Sequence, residues 1–366
     1  MTNVEKYTEY IKRKLNRHTI LVALIISVFL IVAAVGLGWY NNKIVPRNID
    51  QVAVYTGETS NPLSFLSNWD GPDYIKLSLH GYTNVEQASF FPLYPILIHV
   101  LDKVIHSSLI SALIISWTCL VGCHLFYIKI LRRIIPSKNN LNTLKGLAFF
   151  VLFPTSVFLV ATYTESLFAF LSLAAIYYAL DKKYILSGLL MLLGCITHLD
   201  GIFVLALVCM ILWEGRVKLK KIITTLVLGL IGLAGYSYYL GVKFSHPLSF
   251  ILSQKSHGWL NHHYTEIFQS IDFFNVVFIV LLLLTIVYWW NRRRSFSYYS
   301  FLFLLIPIIG NQFGGFNRYM LVAFPVQFMA YDYFKNKHLS YAFLLALMGI
   351  IWAYFTLQYA GGYIGG

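Results

Sequence analysis

The sequence predicts an all-α integral membrane protein, built as a bundle of helices that cross the bilayer many times. Of its 366 residues, 58% are hydrophobic and 12% are charged, whereas soluble domains are about half apolar and about a quarter charged. Apolar runs of roughly 18 residues or more recur along the chain, and each could cross the hydrocarbon layer as a helix. Helices are expected because lipid offers no partners to backbone N–H and C=O groups.

The apolar runs predict about eleven helices and leave no segment for a separate soluble domain, so residues 1–366 are expected to form one membrane domain. The first run follows a basic stretch but is too long for a signal peptide, and it lacks a small-residue cleavage site. We therefore expect a retained first helix with the N-terminus in the cytosol. The predicted ranges are 20–40, 107–129, 146–162, 166–180, 185–197, 201–213, 222–241, 273–290, 297–310, 319–334 and 339–359.

The charges are distributed in a way that orients these helices. Most of the 28 Lys and Arg residues fall in the segments that this topology places in the cytosol, as the positive-inside rule requires. The net charge of +13 is thus explained by orientation and does not call for a nucleic-acid partner. Two long segments, 41–106 and 242–272, become outer loops. The first is rich in aromatic residues, which predicts short amphipathic helices on the membrane surface.

Residues 184–213 raise a question of topology, since they could form one long helix or two short ones. Two helices of about 13 residues preserve the orientation of everything that follows, but neither can span the bilayer. The connection between them, Thr197 to Gly201, is then expected below the outer surface. Polar groups at that depth need protein or a water-filled cavity around them, so His198 and Asp200 predict a cavity that opens outward.

Polar residues that could carry chemistry cluster in the first outer loop, in the stretch Trp69-Asp70-Gly71-Pro72-Asp73-Tyr74. The Asp70 carboxylate could act as a general base, bind a metal together with Asp73, or cap a helix. Lys76 and His80 follow in the same loop and could meet a negative charge.

Two further clusters are expected on the same membrane face. Tyr163 and Glu165 lie between two predicted helices, where Glu165 could bind substrate hydroxyls or stabilise a helix start. Arg318 lies at the outer end of another helix. Its guanidinium could bind phosphate through two N–H groups, or it could extend to lipid headgroups.

Together these stretches resemble the GPI mannosyltransferase II family and its bacterial relatives, which are polytopic glycosyltransferases of the GT-C class. The resemblance rests on W-D-x-x-x-Y, F-F-P-L-Y-P, F-P-T-S followed by Y-T-E-S, and R-Y-x-x-x-x-F-P, in the family's order from Trp69 to Pro325. One motif departs from the pattern. Where the family usually has T-R-x-x-G, this chain has Thr197-His198-Leu199-Asp200-Gly201, so a titratable group replaces a permanent cation.

The resemblance implies an inverting transfer of a hexose, typically mannose, from a polyprenyl-phosphate donor to an unknown acceptor on the non-cytosolic side. The family's first-loop acid falls on Asp70 and its outer arginine on Arg318. We expect Asp70 to be catalytic, and expect Arg318, His198, Lys76 and His80 to bind the donor phosphate. The residues expected to bind substrate are Asp73, Tyr74, Tyr163, Glu165 and Asp200.

Several alternatives stay open at this point. No cofactor is required, although Mg²⁺ or Mn²⁺ on Asp70 and Asp73 is one alternative. A transporter or lipid flippase would also be polytopic with a sunken polar connection, but such proteins often carry internal repeats. A non-catalytic membrane subunit is a third interpretation. Composition is compatible with a bacterial plasma membrane, and the sequence names neither the acceptor, the exact sugar, the polyprenyl length nor the oligomeric state.

Overall fold

A computed structural model describes residues 3–44, 55, 61–137, 140–256, 272–310 and 315–364. Within these ranges the chain is helical and contains no strand. Its α-helices are α1 Asn3–Ile44, α2 Asp70–His80, α3 Leu93–Ile105, α4 Ser108–Ile134, α5 Asn140–Val151, α6 Glu165–Leu180, α7 Tyr184–Cys195, α8 Gly201–Glu214, α9 Leu219–Phe244, α10 Ser249–Ser256, α11 Phe273–Trp289, α12 Arg294–Gly310, α13 Phe316–Tyr319, α14 Phe324–Phe334 and α15 His338–Ala360.

The predicted all-α membrane fold is confirmed, with four described helices long and apolar enough to cross a membrane: Arg17–Ile44, Ser108–Ile134, Leu219–Phe244 and His338–Ala360. The other apolar helices are shorter. Two predicted ranges were wrong in part, and proline explains both. The range 146–162 ends as a helix at Val151, because Pro154 disfavours helical geometry in the residue before it. The range 319–334 is broken, and α14 starts anew with Pro325 in its first turn.

Short helices were expected in residues 41–106, the predicted first outer loop, and the described part of this segment contains two α-helices, α2 and α3, which pack on each other through an aromatic cluster. The Tyr74 ring of α2 meets the rings of Phe90 and Tyr94 edge to face, with centroids 5.2 and 5.4 Å apart. The His99 side chain of α3 lies 2.8 Å from the carbonyl oxygen of Ser78 in α2. Residues 45–54 and 56–60 of the 41–106 loop, and 257–271 of the 242–272 loop, lie outside the described residues.

The two short helices predicted between 184 and 213 are present as α7 and α8. At 1.5 Å per residue they are about 18 and 21 Å long, less than the roughly 30 Å of hydrocarbon. The turn between them is tight at Gly201, where a Cβ atom would lie 2.8 Å from the Cα of Cys195. Close packing of α7 on α9 depends on Gly232, whose Cβ would approach the carbonyl oxygen of Leu192 to 2.3 Å.

One end of the bundle gathers the basic helix connections. Arg133 at the end of α4 pairs with Asp181 after α6, and Arg292 after α11 pairs with Asp332 near the end of α14. Glu214 at the end of α8 accepts hydrogen bonds from the backbone and hydroxyl of Ser295 at the start of α12. The Lys182 side chain, directly after α6, lies near Gly215, directly after α8. The ends of six helices, α4, α6, α8, α11, α12 and α14, therefore lie at one side of the molecule.

Candidate active site

A largely buried ion-pair cluster lies at the opposite end of the bundle, where α2 and α6 begin and α13 contributes Arg318. The Arg318 Nη1 atom donates to Asp70 Oδ2 at 2.7 Å. The Nε atom of the same guanidinium lies 2.9 Å from Glu165 Oε1. The exposed fractions of the three side chains are 12% for Arg318, 20% for Asp70 and 8% for Glu165. One arginine thus joins two carboxylates from distant parts of the chain.

The position of Asp70 is fixed by the segment that precedes it. Asn68 donates through its side-chain amide to the carbonyl oxygen of Tyr359 at 2.5 Å, and its backbone N–H donates to the Tyr359 hydroxyl at 3.1 Å. Thr162 donates its backbone N–H to the carbonyl oxygen of Leu66 at 2.9 Å. The backbone N–H of Asp70 donates to the Tyr163 hydroxyl at 3.3 Å. These bonds tie the turn to α15 and to the chain just before α6.

Gly71 allows the turn at Asp70 to approach Thr162 and Ser67 closely. A Cβ atom at Gly71 would lie 2.4 Å from the Thr162 hydroxyl oxygen and 2.8 Å from the Ser67 hydroxyl oxygen, which are themselves hydrogen bonded at 2.8 Å. Any larger residue would have to break that bond or lift the start of α2. The capping interpretation of Asp70 was wrong, since the N-cap residue of α2 is Trp69 and the Asp70 carboxylate binds Arg318.

The Arg318 guanidinium is held among aromatic rings as well as carboxylates. It lies 5.3 Å from the ring centroids of Tyr163 and Tyr319 and 5.9 Å from that of Phe158. Burial lowers the pKa of Arg318, but the carboxylates of Glu165 and Asp70 outweigh this effect and hold the pKa well above its usual value. The arginine is therefore charged and enclosed, which argues against the interpretation that it extends to lipid headgroups.

The connection between α7 and α8 brings a third carboxylate, that of Asp200, to the same place. His198 stacks on Phe168 of α6, with ring centroids 5.2 Å apart, and meets Tyr319 edge to face at 5.5 Å. Its Nδ1 atom lies 3.4 Å from Asp200 Oδ2. Within the part of the chain that the structure describes, neither Asp200 Oδ2 nor Glu165 Oε2 accepts a hydrogen bond, although both are buried. Buried oxygens of this kind are suited to a ligand that brings hydroxyl donors.

Two of the predicted substrate-binding residues, Tyr74 and Tyr163, are almost fully buried. Burial raises the pKa of Tyr74, with Asp70 and Glu165 adding to the shift, and its hydroxyl lies 3.4 Å from the Thr164 hydroxyl. Tyr163 supports the backbone of Asp70. Their observed contacts are therefore with the scaffold of the site, and contact with substrate stays a prediction.

Three other predicted residues lie farther along α2. Asp73 is on the next turn after Asp70, and Lys76 and His80 follow at about 9 and about 15 Å along the helix axis. The Lys76 ammonium lies over the ring of Tyr55, 5.1 Å from its centroid, and His80 is exposed. Among the described residues no group of three or more His, Cys, Asp or Glu side chains could hold a metal ion. Asp70, one of the two predicted metal ligands, contacts Arg318 instead.

Several residues of the cluster escaped sequence reasoning. Tyr359 comes from the end of the last helix, in an apolar run that marks no site, and only the fold brings it beside Asn68. Phe158 and Phe168 look like ordinary core residues. Tyr319 follows Arg318 within a motif, and this adjacency was the one available signal.

A family model described as mannosyltransferase (PIG-V) matches residues 19–226, which is more than half of the chain. The matched segment includes Asp70, Tyr163, Glu165 and the connection between α7 and α8, whereas Arg318 lies beyond it. A search of curated proteins gave no match.

Proposed function

Because the chain belongs to the mannosyltransferase (PIG-V) family, we propose that it transfers mannose from a polyprenyl-phosphate donor to an acceptor on the non-cytosolic face of the membrane, with inversion at the anomeric carbon. The observation that carries this proposal is the buried contact between Asp70 and Arg318, at 2.7 Å. It places a carboxylate that can take a proton beside a cation that can meet a phosphate.

The orientation of the site supports the non-cytosolic face. Glu165 begins α6 within the cluster, and Asp181, directly after the other end of α6, pairs with Arg133 among the basic connections. The site and the basic residues are therefore separated by the length of α6, about 24 Å. Under the positive-inside rule the basic end faces the cytosol, so the cluster faces the other side. Nucleotide sugars are cytosolic, which favours a donor that a lipid carries across.

In the proposed reaction Asp70 acts as the general base. An acceptor hydroxyl attacks the anomeric carbon of the mannose, and its proton passes to the Asp70 carboxylate. The bond between the anomeric carbon and the phosphate oxygen breaks, and its electron pair leaves with the lipid phosphate. In an inverting displacement the acceptor attacks the face of the sugar opposite to the leaving phosphate, so donor binding must separate Arg318 from Asp70.

Arg318 is proposed to stabilise the leaving phosphate as its negative charge grows. The guanidinium contacts Asp70 and Glu165, so a phosphate would replace one of these carboxylates as a bidentate partner. A cation that is fixed in an enclosed site is effective because it needs no reorganisation during the reaction. His198 contacts the ring of Tyr319, which the Arg318 guanidinium also contacts, so His198 is placed to assist in binding the phosphate. The proposed step uses neither Lys76 nor His80.

Glu165 and Asp200 are proposed to bind the hydroxyl groups of the mannose. Their oxygens Oε2 and Oδ2 are buried and accept no hydrogen bond from the described residues, and sugar hydroxyls are donors. A carboxylate that is left without its donor costs free energy, so such a site discriminates against sugars with a hydroxyl missing or inverted.

The test is transfer by the purified protein, reconstituted in lipid, from radiolabelled polyprenyl-phosphate mannose to a glycolipid extract. Wild type is expected to form a labelled product, and Asp70→Asn is expected to lose at least about a hundredfold in rate, within the usual range for a general base. Glu86→Gln is the matched control, since Glu86 is an exposed carboxylate in the same outer segment. Full activity of Asp70→Asn would show that Asp70 is not the general base.

Two further arms of the assay address the open alternatives. The proposed step needs no metal because the guanidinium supplies the positive charge, so transfer is expected to continue in EDTA. A flippase would instead move polyprenyl-phosphate mannose between leaflets and form no labelled glycolipid. Movement of donor without product would favour the transporter interpretation.

A further inference from the structure

The residue before Asp70 has a backbone conformation that its side chain disfavours. Trp69 has φ 54° and ψ −111°, and the N–H of Gly71 donates to the carbonyl oxygen of Asn68 at 3.0 Å. These values are those of the second residue in a type II′ turn, a position that glycine dominates because φ is positive there. The chain has tryptophan, one of the largest side chains, at this position.

The surrounding structure holds the turn in this form. Asn68 on one side is bonded to Tyr359, and the N–H of Asp70 on the other side is bonded to Tyr163. A strained residue persists only when its neighbours determine its conformation, and such residues concentrate at functional sites. A glycine would fit the same turn without strain. The fold therefore gives no reason for an indole at this position.

The indole does not serve the core either. The Trp69 side chain is 50% exposed, and none of the ring contacts among the described residues involves it. The tryptophans that do support the bundle behave differently. Trp117 donates its indole N–H to the carbonyl oxygen of Val160, and Trp289 donates to that of Pro325.

We propose that the Trp69 indole is the platform on which a sugar ring of the acceptor stacks. The base must lie within hydrogen-bond distance of the acceptor hydroxyl, so the acceptor occupies the side of the site on which Asp70 lies, opposite to the leaving phosphate. Trp69 adjoins Asp70 in sequence and is the more exposed of the two. A flat apolar face suits the C–H face of a pyranose, and two torsion angles make it a rigid contact. This inference rests on the proposed function.

Another explanation for an exposed tryptophan in a membrane protein is anchoring at the lipid interface. Trp39, near the end of α1, provides a matched comparison, because its exposed fraction is 51% and its ring contacts the Lys43 ammonium at 3.7 Å. Anchoring predicts that the loss of the Trp69 indole and the loss of the Trp39 indole have similar effects on the KM for the acceptor. The platform predicts that only the loss of the Trp69 indole changes that KM.

The decisive variant is Trp69→Gly, which relieves the turn and removes the ring together. We expect its melting temperature to equal or exceed that of wild type, while the KM for an octyl α-mannoside or glycolipid acceptor rises at least tenfold and the KM for polyprenyl-phosphate mannose changes less than threefold. Trp69→Phe is expected to recover most of the acceptor affinity, and Trp39→Leu to leave both constants unchanged. Ser245→Gly relieves a positive φ of 60° far along the chain and controls for backbone strain alone.

A binding measurement separates this inference from the proposed function. Saturation-transfer NMR with octyl α-mannoside, octyl α-glucosaminide and octyl α-galactoside would report ring contact in the absence of turnover. Sugar binding to wild type that is lost in Trp69→Gly would support the platform, whether or not transfer is detected. A lack of transfer would count against the proposed function and not against the platform. An unchanged acceptor KM or sugar signal in Trp69→Gly overturns the inference. The absence of any sugar signal with wild type also overturns it.

Discussion

Replacing Arg318 with methionine should destabilise the protein strongly, because it removes the cation between the buried Glu165 carboxylate and the partly buried Asp70 carboxylate. The guanidinium contacts Asp70 at 2.7 Å and Glu165 at 2.9 Å, and the Glu165 side chain is 8% exposed. Removing one partner from a buried pair costs about 3–5 kcal/mol, since the remaining charge stays buried without compensation. In domains of 150–250 residues about 1 kcal/mol corresponds to 2–4 °C in Tm, so a decrease of roughly 5 °C or more is expected.

The assay is thermal unfolding in detergent, followed by fluorescence, with each variant at the same detergent and salt concentration. Arg318→Lys should be intermediate in stability, because one ammonium cannot reproduce contacts made through two separate guanidinium nitrogens. The triple variant Asp70→Asn, Glu165→Gln, Arg318→Met should recover much of the lost stability, since it leaves no uncompensated charge, yet it should have no transferase activity. An unchanged Tm in Arg318→Met would refute the buried ion-pair cluster.

Three other substitutions test separate parts of the site. Tyr163→Phe removes the hydroxyl that accepts the N–H of Asp70, and it should reduce the free energy of unfolding by about 1 kcal/mol, with a lower kcat and little change in either KM. Gly201→Ala forces a Cβ atom against the backbone of Cys195 at 2.8 Å, and it should lower both Tm and activity because backbone atoms cannot move aside easily. His198→Arg restores the cation of the family pattern, and it should lower the KM for the donor, which initial-rate kinetics would measure.

Each of these predictions has either a control variant or a result that would contradict it. Gly36→Ala matches Gly201→Ala, since a Cβ atom at Gly36 meets nothing within 4 Å, and it should leave Tm and activity unchanged. Wild-type kcat in Tyr163→Phe would show that its hydroxyl does not position Asp70. A higher donor KM in His198→Arg would indicate that a second cation repels Arg318 more than it attracts phosphate.

The sequence predicted those features that depend on local chemistry. Apolar run length gave the helices, and the pair of short helices before Arg216 followed from the positive-inside rule. The same rule placed Asp70, Glu165, His198 and Arg318 on one face, and the structure brings these four together. Their roles stay predictions, because proximity alone does not establish a reaction.

The features that the sequence could not predict depend on tertiary contacts. Nothing local reveals that Tyr359 supports Asn68, since their hydrogen bonds join residues nearly three hundred positions apart. The same holds for the pairing of Arg318 with two carboxylates, because sequence reasoning expected its guanidinium to bind phosphate or to extend to lipid headgroups. The strain at Trp69 is also hidden, because tryptophan before an aspartate gives no turn signal, and the positive φ follows from bonds to Tyr163 and Tyr359.

The balance of charge at the site links donor binding to the ion pairing of the proposed base, Asp70. Asp70, Glu165 and Asp200 gather around a single guanidinium, and a buried carboxylate without a partner is costly. Arg318 holds Asp70 in an ion pair at 2.7 Å. Under the proposed mechanism the donor phosphate takes the guanidinium and leaves Asp70 without that partner. Loss of the pairing frees the Asp70 carboxylate to accept a hydrogen bond from the acceptor hydroxyl at the moment when a sugar lies ready for attack. Under that mechanism the lipid phosphate is both leaving group and activator.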